Sequence, residues 1–253
     1  MLAPPALALA WLGGPYLAVL VMLAAAGMGW EWARLTGCGG GLVAVLIAVA
    51  TSLPAAVAAL GLFGLALLLA AALALAAGAA ASRVRGAAPL WAGLGAAWIA
   101  LACLACLWVA ADADTGRRAV LWLFATVWAS DSGAFIAGRA FGGPRLAPRL
   151  SPSKTWSGAF GGVVGAASVG WILALWGGSA AALVPTGIAL GIAAQLGDLG
   201  ESLAKRHFGV KDSGGIIPGH GGLLDRLDGM LATAALQALL TLAGGASPLL
   251  WQA

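Results

Sequence analysis

The thirty-one residues from Asp198 to Asp228 hold five of the nine acids in the sequence: Asp198, Glu201, Asp212, Asp225 and Asp228. Both histidines, His207 and His220, lie in the same stretch, with Lys205, Arg206, Lys211 and Arg226. The flanking residues are mostly Leu, Ala and Gly. Carboxylates set against apolar, membrane-length segments are costly and mark function by default. Asp225 and Asp228 are three apart and share a face if helical, while Asp198 ends the preceding apolar run. Two carboxylates entering a polar pocket from separate helices suit Mg²⁺, which takes oxygen ligands from one or two carboxylates plus phosphates. The plainer alternative is a set of acids paired with Lys205, Arg206 or Arg226 in a solvated loop.

Between these acids lie Gly214-Gly215 and Pro218-Gly219-His220-Gly221-Gly222. Glycine lets backbone amides approach a ligand, and successive N–H groups can cradle an anion. Beside Lys205, Arg206 and Lys211, such a cradle suits a phosphate-rich substrate, although many of the 39 glycines serve helix packing instead. His220 could donate to a phosphate or act as an acid/base group, or be merely structural. A second polar group reads Asp131-Ser132-Gly133-Ala134-Phe135, then Gly138-Arg139, then Ser151-Pro152-Ser153-Lys154-Thr155-Trp156. Asp131 interrupts an apolar run, which is expensive unless it faces a polar cavity. Ser151, Ser153, Lys154 and Thr155 bring hydroxyls and a cation to a helix start, where a simple N-cap with a headgroup lysine is the competing reading. No Walker A pattern precedes them.

The elements that carry these residues follow from composition. A soluble domain is about 45–50% apolar and about 25% charged; this chain of 253 residues is 62% and 9%, with a mean hydropathy of +0.98. It reads as an all-α, polytopic integral membrane protein of about eight transmembrane helices (seven to nine), since each span takes about 20 apolar residues, and no separate soluble domain fits in the remainder. The predicted runs are 6–29, 42–60, 61–81, 90–111, 119–138, 158–177, 180–197 and 228–247. The first is open to a break at Gly13-Gly14-Pro15, and it has no Lys or Arg before Arg34, so it lacks a secretory n-region and reads as a retained span.

Eleven of the thirteen Lys and Arg residues fall in the alternate connections 30–41, 82–89, 139–157 and 198–227, leaving Arg117 and Arg118 for the other side. That excess marks the first set as cytoplasmic and puts both polar groups on one face. The net charge of +4 is thereby explained by topology, with no nucleic-acid partner implied. Cys103 and Cys106 form a C-x-x-C inside an apolar run and read as small packing residues. The twelve tryptophans, many near run ends such as Trp30, Trp32, Trp91 and Trp156, read as interfacial belts.

The run Ser202-x2-Lys205-Arg206-x4-Lys211-Asp212-x-Gly214-x2-Ile217-Pro218-x-His220-Gly221-Gly222-x2-Asp225-Arg226-x-Asp228 resembles the phosphatidate cytidylyltransferases, or CDP-diacylglycerol synthases. The segments around Asp131 and Lys154 and the early pair Glu31-Trp32 are similar to that family too, so the likeness covers most of the chain. One departure is Ser157, where the family usually has an acid. The resemblance implies one membrane-embedded cytidylyltransferase domain over 1–253, its catalytic half at about 119–249, that joins CTP to phosphatidate to give CDP-diacylglycerol and pyrophosphate. It implies Mg²⁺ on Asp198 and Asp225, with a second cation allowed for. It also implies catalytic roles for Lys205, Lys211, Asp212, His220 and Asp228, and substrate contacts by Asp131, Ser151, Ser153, Lys154, Thr155, Arg206, Gly221, Gly222 and Arg226. A bacterial inner membrane, surrounding lipid and a homodimer complete the expectation. Two other readings compete. A cation- or proton-coupled transporter would place acids in mid-span. A CDP-alcohol phosphotransferase would need the pattern D-G-x2-A-R-x8-G-x3-D-x3-D, which the three-residue spacing of Asp225 and Asp228 does not match.

Overall fold

The computed structural model describes residues 3–176, 179–216 and 221–250. Their order is α1 (Ala3–Leu12), α2 (Gly14–Leu35), α3 (Gly41–Ala59), α4 (Phe63–Ala81), α5 (Pro89–Ala110), α6 (Gly116–Phe141), β1 (Arg145–Ala147), β2 (Ser151–Thr155), α7 (Trp156–Leu175), α8 (Ala180–His207) and α9 (Leu224–Gly244), with a last 3₁₀ turn at Pro248–Leu250. Eight of these helices, α2 to α9, are long and apolar enough to cross a bilayer, and the protein is an integral membrane protein. The break expected near residue 13 is present. Gly13 takes φ 67°, a left-handed conformation that glycine adopts at no steric cost. Pro15 then sits in the first turn of α2, where its missing N–H has no intrahelical role.

Two helices outrun their apolar segments. α8 continues ten residues beyond the predicted end at 197, to His207. Hydropathy records where lipid contact stops, whereas Leu, Ala and Lys keep the helix going and Lys205, Arg206 and His207 complement the negative end of its dipole. α6 likewise extends to Phe141. At its start, Asp112 Oδ1 accepts from the Thr115 N–H and hydroxyl, both at 2.7 Å, and from the Asp114 N–H at 3.1 Å. The antiparallel hairpin β1–β2, with Arg145 opposite Thr155 and Ala147 opposite Ser151, was not anticipated; its two-proline sequence reads as loop, and Pro152 is tolerated because β2 has an open edge.

The helices group into two compact units. The first comprises residues 1–111 and 205–227. Within it, Thr51 of α3 donates to the Ala25 carbonyl of α2 at 2.7 Å. Trp32 of α2 is 2% exposed, and its indole N–H donates to the Trp91 carbonyl at 2.8 Å. Trp32 is therefore a core residue and not part of an interfacial belt; a buried indole needs an acceptor for its N–H and finds one here. The second unit comprises 112–204 and 228–253. α6 and α7 approach through Gly133 and Gly161, where a side chain on either would strike the facing backbone, the small-residue contact typical of membrane helices. Side-chain amides add cross-links: half-buried Gln195 of α8 donates to the Ala159 carbonyl at 3.0 Å, and buried Gln237 of α9 to the Ala119 carbonyl at 3.1 Å. Trp122, Leu183 and Leu190 form the centre of its core. Cys103 and Cys106 lie on α5 as free thiols.

Candidate active site

In the second unit a cavity of about 500 Å³ is lined by Asp131 and Arg139 of α6, Ser153, Lys154 and Thr155 of β2, and Gln195 and Asp198 of α8, with Ala134, Phe135 and Leu146 supplying apolar wall. Lys154 Nζ meets Asp198 Oδ2 at 2.5 Å; the lysine side chain is 25% exposed and the aspartate 40%. Ser202, one turn on, donates to Asp198 Oδ1 at 3.4 Å. β2 runs straight into α7, and Thr155 is the N-cap of that helix, its hydroxyl oxygen accepting the Gly158 N–H at 3.1 Å. The hydroxyl proton of Thr155 then goes to Ser157 Oγ, 3.0 Å away, because Ser157 spends its own on the Gly142 carbonyl. Ser157 thus clasps the end of α6 to the start of α7, and the hairpin holds Lys154 between two fixed helix ends. Ser151 is half-buried in β2 and Ser153 is exposed.

In the first unit Asp225 occupies the first turn of α9, where a carboxylate is favoured by the helix dipole. Lys205 Nζ touches its Oδ1 at 2.6 Å, with side-chain exposures of only 12% and 13%. Its Oδ2 accepts from the Ser213 N–H and hydroxyl, both at 3.0 Å, and from the Gly222 N–H at 2.9 Å. Gly222 and Gly221, expected to cradle phosphate, lie beside Asp225. A Cβ on Gly222 would stand 2.8 Å from Asp225 Oδ2, and Gly221 takes φ 80° beside the same carboxylate. Arg206 closes the turn after α8 by donating to the Val210 carbonyl at 3.2 Å. Lys211, Asp212 and Arg226 are exposed, and Asp228 is half-buried one turn into α9. His220 lies outside the described residues.

Glu31 of α2 had no assigned role in the sequence reading. It is 1% exposed, with Oε1 accepting the Leu223 N–H at 3.0 Å and Oε2 accepting the Leu224 N–H at 2.8 Å. The signal was present: Glu31 is the only acid before Asp112, and an acid in so apolar a context is costly unless bonded. Ser213, Arg139 and Gln195 were also missed as site residues.

The donor set bears on the metal expectation. Asp198 fits a hard cation: it is open to a cavity that Asp131 also lines, and Lys154 now supplies the positive charge beside it. Asp225 fits less readily, since both its oxygens already accept hydrogen bonds and a cation there must displace Lys205. Among the described residues no group of three or more His, Cys, Asp and Glu is arranged to hold a metal ion.

Eight apolar helices, a polar cavity lined by both signs of charge and a largely enclosed lysine–aspartate pair define a polytopic membrane protein with charged groups set among apolar spans. The chain belongs to the Cytidylyltransferase family, whose model matches residues 1–243. It is 45% identical over 153 residues to a phosphatidate cytidylyltransferase of Brucella suis biovar 1 (strain 1330), covering 58% of this chain and 55% of that protein. It is 42% identical over 128 residues to the phosphatidate cytidylyltransferase of Haemophilus influenzae, covering 48% and 44%. A further match, 45% over 124 residues, is to phosphatidate cytidylyltransferase 5, chloroplastic, of Arabidopsis thaliana, covering 48% of this chain and 31% of that protein. The matched region spans about half the length of the Brucella relative.

Proposed function

We propose that this chain transfers the CMP moiety of CTP to phosphatidate, giving CDP-diacylglycerol and pyrophosphate, at the cytoplasmic face of a bacterial inner membrane. The family match over residues 1–243 carries the reading, and the names of the relatives specify the lipid acceptor. The bias of Lys and Arg to one set of connections supports the cytoplasmic orientation.

A phosphate oxygen of phosphatidate attacks the α-phosphorus of CTP. One P–O bond forms there while the bond from that phosphorus to the α,β-bridging oxygen breaks, and pyrophosphate leaves with the electron pair. The nucleophile is already anionic, so catalysis rests on positioning and charge neutralisation. Lys154 and Arg139, on the cavity wall, would hold phosphate oxygens through charge-assisted hydrogen bonds, and Ser153 would add a neutral donor. Asp131, on the same wall, would orient the two cations. Phe135 and Leu146 would offer an apolar surface to the diacyl end of the lipid. Lys205, Lys211, Arg206 and Arg226 remain candidates for triphosphate and headgroup, with Asp212 and Asp228 orienting them. Asp198, on the cavity wall that Asp131 also lines, would hold Mg²⁺, which when bound would neutralise phosphate charge.

The test is nucleotide transfer by the purified protein in detergent with labelled CTP, phosphatidate and Mg²⁺. CDP-diacylglycerol and pyrophosphate are expected in equal amounts, and Asp198→Asn is expected to lower the rate by about a hundredfold or more. A well-folded wild type that makes no product with any phosphatidate tried overturns the reading.

A further inference from the structure

We infer that Glu31 is a positioning residue for this transfer, acting through Ser213 and the first amides of α9 to set the Asp225–Lys205 pair. The inference rests on the proposed function and adds a residue from α2, far from the motif in sequence. A carboxylate 1% exposed is tolerated only if its oxygens are bonded. The bonds it makes all reach one segment: Leu223 N–H, Leu224 N–H and, at 3.4 Å, the Ser213 hydroxyl. The two amides belong to the start of α9, whose opening N–H groups have no intrahelical acceptor. Glu31 therefore fixes where α9 begins, and Asp225 is its next residue.

Ser213 makes the link direct. Its single hydroxyl proton lies between two carboxylates, 3.0 Å from Asp225 Oδ2 and 3.4 Å from Glu31 Oε2, while its N–H also donates to Asp225. The glycines on either side are shaped to the same end. A Cβ on Gly214 would stand 2.6 Å from Glu31 Oε1, and one on Gly222 2.9 Å from Glu31 Oε2. Gly27, one turn before Glu31 on the same face of α2, leaves room for Leu223, whose Cδ2 would lie 2.8 Å from a Cβ there. One face of α2 is thus a seat for the segment that presents Asp225. The seat carries a buried carboxyl, where an apolar contact would have sufficed for packing alone.

Glu31→Gln keeps the shape but replaces one acceptor oxygen with a donor, leaving a backbone N–H facing an N–H. The variant is expected to lose kcat by about 10- to 100-fold, with KM for CTP and phosphatidate within about threefold of wild type. Glu31→Asp should recover part of the loss. Hydrogen exchange in peptides covering 213–224 should quicken in Glu31→Gln, a change that does not depend on turnover. Ser213→Ala serves if Glu31→Gln is not monodisperse in detergent; it too should lower kcat at near-constant KM. Active wild type with Glu31→Gln, or Ser213→Ala in its place, at full turnover overturns the positioning role alone. Wild type that is inactive while 213–224 exchanges slowly overturns the proposed function and the positioning role with it.

Discussion

Lys205 Nζ lies 2.6 Å from Asp225 Oδ1, and the two side chains retain only 12% and 13% of their exposure. A second lysine–aspartate pair, Lys154 and Asp198, is equally close but far more open, at 25% and 40%. Two pairs of the same chemistry thus stand in different solvents. An enclosed pair is held by its surroundings and penalises loss of one partner, whereas an open pair exchanges readily with water, cations or substrate.

Removal of one member of the enclosed pair should be costly. Lys205→Met is expected to destabilise the protein by about 3–5 kcal/mol, because the largely enclosed Asp225 carboxyl loses its contact with the Lys205 ammonium. A double-mutant cycle with Asp225→Asn should give a coupling of about 0.5–3 kcal/mol. Chemical unfolding in mixed micelles checks it, and additive effects would show that the two groups do not interact.

The open pair should behave oppositely. Lys154→Ala is expected to change stability by less than about 1 kcal/mol. Under the proposed function it should still lower CTP-dependent product formation by about 10²- to 10³-fold. A thermal melt and a transfer assay on one preparation separate the two effects. A large drop in melting temperature would mark Lys154 as structural.

Gly222→Ala should damage the first unit without altering any charge. Its Cβ would stand 2.8 Å from Asp225 Oδ2 and 2.9 Å from Glu31 Oε2, an overpacking that costs about 1–3 kcal/mol. Thermal stability in detergent reports it. Wild-type stability and turnover would mean that the segment relaxes freely, contrary to the geometry.

Asp112 should give the protein a small acid-sensitive increment. Donation by the Thr115 hydroxyl, then by the Thr115 N–H, holds its carboxyl below the ordinary carboxylate range. A depressed folded-state pKa stabilises above the unfolded value of about 3.9 and loses that effect as pH falls through the folded value. Wild type should therefore melt about 1–4 °C above Asp112→Ala near neutrality, and the gap should close below about pH 4. A gap that widens on acidification would contradict the assigned direction.

The spans were legible because a bilayer demands a long apolar run, and eight such runs are simple to count. The ends were less so: α8 leaves its apolar stretch ten residues before it stops being a helix. The hairpin escaped notice because two prolines and three cations masked its short strands. Charged side chains named themselves by rarity, but their partners did not. Nothing in the spacing couples Lys154 to Asp198, 44 residues apart, since tertiary packing alone brings β2 beside α8. The immediate neighbours of the glycines were not legible either: Gly214 and Gly222 make room for carboxylate oxygens, which composition cannot show.

The seat of Glu31 also has a consequence for biogenesis. Ser213 is 182 residues downstream of Glu31; at about 5–20 residues per second, roughly 10–40 s of translation separates them. During that interval α2 is already made, while the donors that will receive its carboxylate have yet to be synthesised. The first unit cannot close until Ser213, Leu223 and Leu224 arrive, so a ribosome that stalls late would leave the Glu31 carboxyl without these donors in a nearly finished membrane protein.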